Sequence, residues 1–398
     1  MSGALTQLAA IGQQDIYLSG SPDYTFWKCG YQQHTNYTVE PIELTFQSSA
    51  QAGRKVTASV SRNGDLIFEV YLKLKLNALA GATSYYGNAI GHALIEYVDI
   101  EIGGHRHDRH FGDFLEIWSE LSDPPANEKR EKIGKFDTLQ EQIVAAQSEQ
   151  VLYVPLQFWF NRHRCHALPM IALQYHEVKI HVQFNKMSET GSTTNNDSDL
   201  TDATLLVDYV FLDTAERRMF AQQPHEYLLD QLQYTGAHSI AAGSTTTTIQ
   251  LNFNHPVKEL LFVIQRADRK TGGSSSIFDY SADGAGEFVG QGSEPLTGAK
   301  LQLNGHSRFE NLDEKYFRVL QPYKHHSRIP NRYIYVFSFA AHPETYEPTG
   351  SCNFSRIDTV TLQLDLNDIQ ETSECRVYAR SVNVLRILSG MAGLRYAN

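Results

Sequence analysis

The polar string at residues 103–110 is the densest group of potential metal ligands in the chain. It reads GGHRHDRH and brings His105, His107 and His110 close together. On a strand, His105 and His107 would point to one face, as two histidines of a cupin metal site do. A cupin also needs a glutamate a few residues later and a distant third histidine, whereas the nearest glutamate is Glu116, beyond a predicted turn. The string therefore favours a solvated or subunit-contacting loop, and a cupin-like metalloprotein remains an alternative.

Two further histidine groups were considered as reactive sites. His176 and His181 resemble a zinc-protease motif with one residue too many, and residues five apart point to opposite faces of the strand predicted there. His325 and His326, beside Arg328, favour a polar turn or a subunit contact over a catalytic pair. No GxSxG, Walker, GxGxxG or CxxC motif occurs. We therefore expect no enzymatic activity, no cofactor and no metal requirement.

Length and composition describe a folded chain of two domains. The 398 residues exceed one ordinary core, so two domains of about 200 residues are expected. The net charge of −11 disfavours direct binding of nucleic acid, whose affinity comes mainly from Lys and Arg. The sequence shows neither a signal peptide nor the about 20 apolar residues that cross a membrane. The four cysteines lie far apart, which favours free thiols in a reducing compartment.

The first half is patterned as half-buried strands. Even positions from Leu66 to Leu76 are apolar, whereas Glu69, Lys73 and Lys75 fall on the odd face. Asn63-Gly64 just before this run predicts a hairpin with residues 55–61. Residues 105–150 interrupt the pattern and predict short helices. The predicted strands of this half are 42–47, 55–61, 66–76, 98–102, 151–160, 178–184 and 206–212.

The second half repeats this plan. Residues 257–264 are predicted as a strand of a sheet buried on both faces, because they contain the unbroken apolar run 260–264. Residues 188–202 and 266–298 predict long exposed loops. Many short strands without a sustained helical period predict an all-β chain, with one antiparallel jelly roll in each half. The predicted strands of this half are 227–232, 245–253, 257–264, 299–303, 332–339, 357–366 and 376–388.

The polar stretch around Pro224 predicts the boundary between the halves. Proline cannot donate to a sheet, and the charged run before it is costly to bury, so residues 216–223 are expected to cross the surface. We predict four parts in all. They are an N-terminal arm at 1–25, a first jelly roll at 26–215, a link at 216–226 and a second jelly roll at 227–398.

Ordered strings along nearly the whole chain resemble the major capsid protein of nucleocytoplasmic large DNA viruses. Besides residues 31–37, those in the first half are SRNGDL (61–66), GHALI (91–95), IEIGG (100–104) and LQYHEV (173–178). The centre carries LLVDYVFLDTAERRMFAQ (205–222), followed by QPYKHHSRIP (321–330), SCNFSRID (351–358) and SGMAGL (389–394) within the terminal 385–398. The chain is short for this family, and RHRCH at 162–166 replaces a more apolar sequence.

The resemblance implies a double jelly roll, two eight-stranded antiparallel β-sandwiches side by side with short helices in the loops. It implies homotrimers that form pseudo-hexagonal capsomers and tile an icosahedral shell. The implied partners are neighbouring capsomers, minor capsid and penton proteins, and an internal membrane beneath the shell. The implied location is the virion, after synthesis and assembly in the host cytoplasm.

Trp27, Tyr31, Tyr323 and Arg328 are the candidate subunit contacts. They lie in residues 24–37 and 321–331, and their residue types are enriched at interface cores. A jelly-roll carbohydrate-binding module would also explain the aromatic content and remains a second alternative. It would be a monomer that binds glycans through exposed Trp or Tyr.

Overall fold

The computed structural model describes residues 2–81, 83–122, 128–190, 197–270, 277–286, 291–367 and 369–396. The chain divides into an N-terminal unit, Met1–Asn36, and a body, Tyr37–Asn398. The N-terminal unit contains helices α1 (Gly3–Ala9) and α2 (Gln13–Ser19), which the sequence did not predict. The Asp15 carboxylate accepts a hydrogen bond of 2.9 Å from Gly12 N and caps α2. Within the described residues, no helix is both long and apolar enough to cross a membrane.

The first half of the body is a sandwich of two antiparallel sheets. One sheet has the order β1-β9-β3-β6, with β7 paired to β3, and the other has the order β2-β8-β4-β5. The strands are β1 (Tyr37–Thr45), β2 (Lys55–Val60), β3 (Leu66–Leu76), β4 (Ile95–Ile102), β5 (His105–Phe111), β6 (Gln150–Pro155), β7 (Leu168–Pro169), β8 (Val178–Phe184) and β9 (Leu200–Leu212).

The second half is another such sandwich. Its sheets have the orders β10-β18-β12-β15 and β11-β17-β13-β14, and β16 and β19 extend the first of them. The strands are β10 (His225–Ile240), β11 (Thr246–Gln250), β12 (Pro256–Arg266), β13 (Leu296–Leu303), β14 (His306–Asp313), β15 (Ile334–Ser338), β16 (Cys352–Asn353), β17 (Val360–Leu366), β18 (Ser373–Leu388) and β19 (Met391–Leu394).

The two sandwiches share one strand order. With the short β7, β16 and β19 set aside, each half has eight main strands in the described residues. In each half the first strand pairs with the last, and the third lies between the last and the sixth. The other sheet runs second, seventh, fourth, fifth in both halves. This is the jelly-roll order, and the predicted double jelly roll is confirmed.

Strands with alternating patterns formed where the sequence placed them. In β8, Val178, Ile180, Val182 and Phe184 are buried and the residues between them are partly exposed. The even positions of β3 are buried in the same way, except Phe68, because a register shift between Ile67 and Val70 bends the strand. Their burial against the opposite sheet forms the core of the first sandwich.

The predicted hairpin at Asn63-Gly64 is wrong. β2 pairs with β8, whereas β3 pairs with β6, β7 and β9, so the turn crosses from one sheet to the other. Gly64 is required by close packing, because a Cβ there would lie 2.9 Å from the Cβ of Tyr209. The dipeptide marks the turn correctly but does not identify which strands pair.

Helices fill the connections of the first half, and two predictions need correction. Residues 105–111 form β5 although that region was expected to lack strands. The predicted strand 151–160 ends at Pro155, and a helix follows from Trp159. The link contains a helix that was not predicted from the sequence. The helices of the body are α3 (Ile90–Ala93), α4 (Gly112–Ser122), α5 (Glu128–Ile133), α6 (Leu139–Ala146), α7 (Trp159–Arg162), α8 (Thr214–Gln222) and α9 (Gln321–His325).

The sheet β10-β18-β12-β15, which we call the junction sheet, is buried on both faces. Leu260, Phe262 and Ile264 belong to the core of the second sandwich. Leu261 and Val263, which alternate with them, belong to a core shared with the first sandwich. The prediction of a sheet buried on both faces is therefore confirmed, although the strand also carries the charged residues Lys258 and Glu259. The two sandwiches are joined through a common hydrophobic core.

The loop predicted at 266–298 is not exposed throughout. Phe278, Tyr280 and Ala282 are buried, and Arg332 Nη1 donates a hydrogen bond of 2.9 Å to Phe278 O. Phe278 and Tyr280 pack into the core shared by the two sandwiches. The parts of the two predicted loops at 191–196, 271–276 and 287–290 lie outside the described residues.

The two ends of the body differ in what they carry. β1 begins at Tyr37 opposite Leu212, and β10 begins at His225 opposite Ile387, so the link lies at the end where both sandwiches start. β12 reaches the opposite end, where Arg266 lies opposite Ser373. The loops after β8 and after β12 leave from that opposite end.

Candidate functional site

The histidines of β5 do not form a metal site. His105 is exposed and His107 is buried, with His107 Nδ1 2.8 Å from the carbonyl oxygen of His105. Burial lowers the pKa of His107. His110 is stacked on Phe158 with ring centroids 5.0 Å apart. Among the described residues, no group of three or more His, Cys, Asp or Glu side chains is arranged to hold a metal ion.

β5 instead contacts the second sandwich. Gln231 Nε2 donates to the carbonyl oxygen of His107 at 2.5 Å, and Leu232 N donates to Asp108 Oδ1 at 3.1 Å. Both donors lie on β10. The expectation of a solvated loop is therefore wrong, because His107, Asp108 and His110 of this polar strand are buried and residues 107 and 108 contact the second sandwich.

His176 and His181 are held apart by separate partners. His176 Nδ1 accepts a hydrogen bond of 3.1 Å from Ala392 N. His181 Nε2 lies 3.0 Å from Glu101 Oε2, and its Nδ1 lies 2.8 Å from Thr57 Oγ1. Neither imidazole is left to bind a metal with the other, so both serve structural contacts.

His326 is a buried charged residue and not the polar turn or subunit contact that we expected. Its side chain is 0% exposed, with Nε2 2.9 Å from Glu259 Oε2 and Nδ1 3.0 Å from Glu344 Oε1. Burial would lower its pKa, but Glu259 and Glu344 raise the pKa to about 9. The imidazole is therefore protonated at neutral pH and bridges two carboxylates.

Arg380, at the centre of the junction sheet, connects His326 to a larger set of charges that we call the junction network. Arg380 Nη1 lies 2.6 Å from Glu259 Oε1, and Nη2 lies 2.7 Å from Asp230 Oδ2. Asp230 also pairs with Lys258 at 2.8 Å. The network comprises Arg162, Asp230, Lys258, Glu259, His326, Glu344 and Arg380.

The first sandwich reaches this network through α4 and α7. Arg162, on α7, has Nη1 3.3 Å from Asp230 Oδ2 on the junction sheet. Trp118, on α4, contacts two guanidinium groups: the Cζ of Arg380 is 4.0 Å and that of Arg162 is 4.8 Å from its ring centroid. Cation–π contacts of this kind are strongest when desolvated. Trp118 therefore joins charges from both sandwiches.

A second ionic group on α4 strengthens the same contact. Glu116 and Glu120 share the ammonium group of Lys135, which is 2.5 Å from Glu116 Oε1. From the second sandwich, Asn331 N donates to Glu120 Oε2 at 3.3 Å, and Arg332 Nη1 lies 3.7 Å from Glu116 Oε1. Asp113, at the start of the same helix, pairs with Arg376 of β18. One helix thus bears three carboxylates that bind the second half.

The buried carboxylates keep their charge because cations surround them. Burial alone would raise the pKa of Asp230, but Arg380, Lys258 and Arg162 lower it. In the same way, burial is outweighed at Glu259 by His326 and Arg380, which lower its pKa to about 2. These groups pair with one another across the junction, so the arrangement forms an ionic contact between the two sandwiches.

The free energy of unfolding is expected to fall between about pH 6.5 and about pH 9 because of His326. Its folded pKa of about 9 exceeds the ordinary 6.5, so its stabilisation is complete below pH 6.5 and lost as the pH rises through 9. The loss is about 3 kcal/mol, at about 1.4 kcal/mol per pH unit. The contribution of Glu259 to the free energy of unfolding depends on pH in the opposite direction. Its stabilisation is present above pH 4.5 and lost as the pH falls through about 2.

Urea unfolding across this pH range measures the effect. His326→Gln should flatten the decline above pH 6.5, because glutamine does not titrate. His325→Gln is the matched control, since His325 Nδ1 lies 2.9 Å from the carbonyl oxygen of Ala341 and His325 pairs with no carboxylate among the residues that the structure describes. An unchanged decline in His326→Gln would show that another group causes it.

The four candidate subunit contacts have different environments. Trp27 and Tyr31 lie in the N-terminal unit and are 94% and 86% exposed. Tyr323, on α9, is 73% exposed. Arg328 is largely buried, with Nη2 3.7 Å from Glu120 Oε2 of the same chain. The first three have surface free for a partner, and Arg328 contributes to the contact between the sandwiches.

Two family models cover nearly the whole chain. Residues 25–213 match the model described as major capsid protein N-terminus, and residues 216–393 match large eukaryotic DNA virus major capsid protein. The major capsid protein of Pyramimonas orientalis virus is 43% identical and that of Paramecium bursaria Chlorella virus 1 is 37% identical, each over 100% of both chains.

Solved structures agree with these sequence relatives. The crystal structure of PBCV-1 VP54, as fitted into a reconstruction of the virophage Sputnik, superimposes with a TM-score of 0.82 at 31% identity. The match covers 94% of this chain and 100% of VP54. The Faustovirus major capsid protein has a TM-score of 0.76 at 11% identity, which is evidence for the fold alone.

Proposed function

Because this chain belongs to the major capsid protein family of large eukaryotic DNA viruses, we propose that it is the main building block of an icosahedral viral shell. The observation that carries the proposal is the presence of two sandwiches with one strand order, joined by a shared core and the junction network. Such a body is a rigid tile with two similar halves. We propose a structural role without enzymatic activity.

The two sandwiches suit a trimeric capsomer. A close-packed shell is mostly hexagonal, so its tile needs six similar edges. Two sandwiches per chain give six in a ring of three chains, and a closed ring needs only one kind of head-to-tail contact. The first sandwich of one chain then lies beside the second sandwich of the next. A stable contact of this kind buries more than about 1,000 Å².

We propose that the parts predicted from the sequence act as units in this assembly: the arm at 1–25, the sandwiches at 26–215 and 227–398, and the link at 216–226. The strand pairing supports this division, because each described strand from Tyr37 to Leu212 pairs within the first half. Each described strand from His225 onward pairs within the second half.

The two ends of the body suggest its orientation in the shell. We propose that the end carrying the long loops faces outward, because such loops tolerate variation and carry recognition. The opposite end, where both sandwiches begin, then faces the interior. Minor capsid proteins, penton proteins and an internal membrane are the proposed partners in the virion, and assembly takes place in the host cytoplasm.

Light scattering of the purified protein tests the trimer. The expected mass is about three times the chain mass of 44.9 kDa. Trp27→Ala should lower the trimer fraction, because exposed tryptophan is a residue type enriched in energetically dominant contacts. A folded protein that stays monomeric throughout the micromolar range would contradict the proposal and favour a glycan-binding module.

A further inference from the structure

The segment between β14 and β15 carries three exposed or partly exposed apolar side chains. A π-helical turn, Tyr316–Leu320, leads directly into α9. Val319, Leu320 and Tyr323 are 36%, 39% and 73% exposed. Tyr323 lies four residues after Val319 and three after Leu320, so these side chains share one helical face. We call these three residues the Tyr323 patch.

The opposite face of this segment is firmly held. Phe317 and Gln321 are buried, and Gln321 Oε1 accepts a hydrogen bond of 3.1 Å from Ser338 N. Gln321 Nε2 donates to the hydroxyl of Tyr316 at 2.9 Å. The exposed face is therefore presented by a fixed backbone. A preorganised apolar patch of this kind is typical of a contact surface.

The corresponding segment of the first sandwich carries a groove. It lies between α5 and α6, has a volume of about 480 Å³, and is lined in part by Phe136, Val144 and Ala145. Val144 is 58% exposed. The groove is large enough for an aromatic side chain, since pockets for small ligands begin at about 300 Å³. We call it the α5–α6 groove.

The patch and the groove have opposite charge. Residues 315–328 contain four Lys or Arg and no Asp or Glu. Of the four, Lys315 and Lys324 are exposed and form no ion pair with any residue that the structure describes. Glu131, Asp137 and Glu141 line the groove, whereas its Lys135 points inward to Glu116 and Glu120. The apolar patch thus lies among basic residues, and the apolar groove lies among acidic ones. The two surfaces are complementary in charge.

Both features occupy the same place in the jelly-roll order, between the fifth and sixth main strands of their sandwich. Within one chain these two connections already touch, since Arg328 and Arg332 reach Glu120 and Glu116 of α4. In a ring of six sandwiches related by near-sixfold symmetry, an equivalent pair of connections would meet at each boundary between chains. The patch of one chain is then next to the groove of the following chain.

We propose that the Tyr323 patch of one copy docks into the α5–α6 groove of a neighbouring copy, with Lys324 facing the acidic side chains of that groove. The contact is heterologous, so it closes only as a ring. It rests on the proposed trimer and specifies which surfaces form it.

The test compares the protein concentration at which the trimers of each variant half dissociate on dilution. If the wild-type trimer does not dissociate on dilution alone, the same sub-denaturing urea concentration is added to every sample. Tyr323→Ala is expected to raise the half-dissociation concentration by about 30-fold or more, the effect of a dominant interface residue. Tyr175→Ala is the matched control, because Tyr175 is 74% exposed and lies outside both surfaces. Circular dichroism should show that both variants fold.

A charge pair identifies the partner surface. Val144→Arg places a cation in the groove opposite Lys324, and Lys324→Glu places an anion on the patch, so each should weaken the trimer. The double variant should recover stability, because the new charges attract. This contact would be refuted if the Tyr323→Ala and Val144→Arg variants formed trimers as stable as those of Tyr175→Ala. That result would not contradict the trimer itself. A monomeric wild type would instead refute the trimer itself.

Discussion

Arg380→Ala is expected to destabilise the folded chain by about 3–5 kcal/mol, the usual effect of removing one partner from a buried ion pair. The Arg380 side chain is 1% exposed and pairs with Glu259 and Asp230. Its loss leaves Glu259, which is 0% exposed, with His326 as its remaining cation within ion-pair distance. Desolvation of that carboxylate would then be offset only in part. Urea unfolding at a fixed protein concentration measures the change.

Arg386→Ala is the matched control on the same strand. Arg386 is 54% exposed and lies 3.5 Å from Glu226, so its removal should change stability by less than about 1 kcal/mol, as for surface ion pairs. Arg380→Lys keeps the charge but not the two-pronged contact, and should fall between the two. Equal stability of Arg380→Ala and Arg386→Ala would mean that the junction network does not hold the sandwiches together.

Trp118→Ala is expected to cost about 3–5 kcal/mol, as large-to-small changes of buried aromatic residues do. Trp118 is 5% exposed, and its ring centroid lies 6.2 Å from that of Phe114. Its ring also contacts the guanidinium groups of Arg162 and Arg380. The change would create a cavity and remove two desolvated cation–π contacts, one from each sandwich.

Trp118→Phe separates these two effects. Phenylalanine fills most of the space of the indole ring but binds cations less well. We therefore expect the free energy of unfolding to fall by about 1–2 kcal/mol. The same unfolding experiment measures both variants. A loss below about 1 kcal/mol for Trp118→Ala would show that α4 does not depend on this ring for its contact with the second sandwich.

The fold could be predicted where one physical rule governs a strand. β3 and β8 alternate because one face is buried, and both were predicted with the bounds that the structure has. Residues 260–264 of β12 are all apolar because the junction sheet is buried on both sides. Pairing partners could not be predicted in this way, as the wrong hairpin at Asn63-Gly64 illustrates, because the partners of β3 are distant in sequence.

Polar segments buried by distant parts of the chain were misjudged. β5 has the composition of a loop, and its burial depends on Gln231 and Leu232 of β10. His326 likewise resembled a surface turn, although Glu259 and Glu344 enclose it. Arg380 lies 121 residues from Glu259 and 150 from Asp230, so no local pattern could have connected them.

The link helix α8 had a signal that was overlooked. Asp213 Oδ1 accepts a hydrogen bond of 2.8 Å from Thr214 N at the helix start, and the following residues are good helix formers. The charge of this segment correctly indicates surface exposure, since α8 buries none of its residues. A capping analysis would have identified the helix as well.

Cryo-electron microscopy of the purified assembly tests the central claim most directly. Three chains should form a threefold ring of six sandwiches, with the first sandwich of each chain beside the second sandwich of the next and Tyr323 at that boundary. Isolated chains, or a ring in which two first sandwiches face each other, would contradict the proposed capsomer.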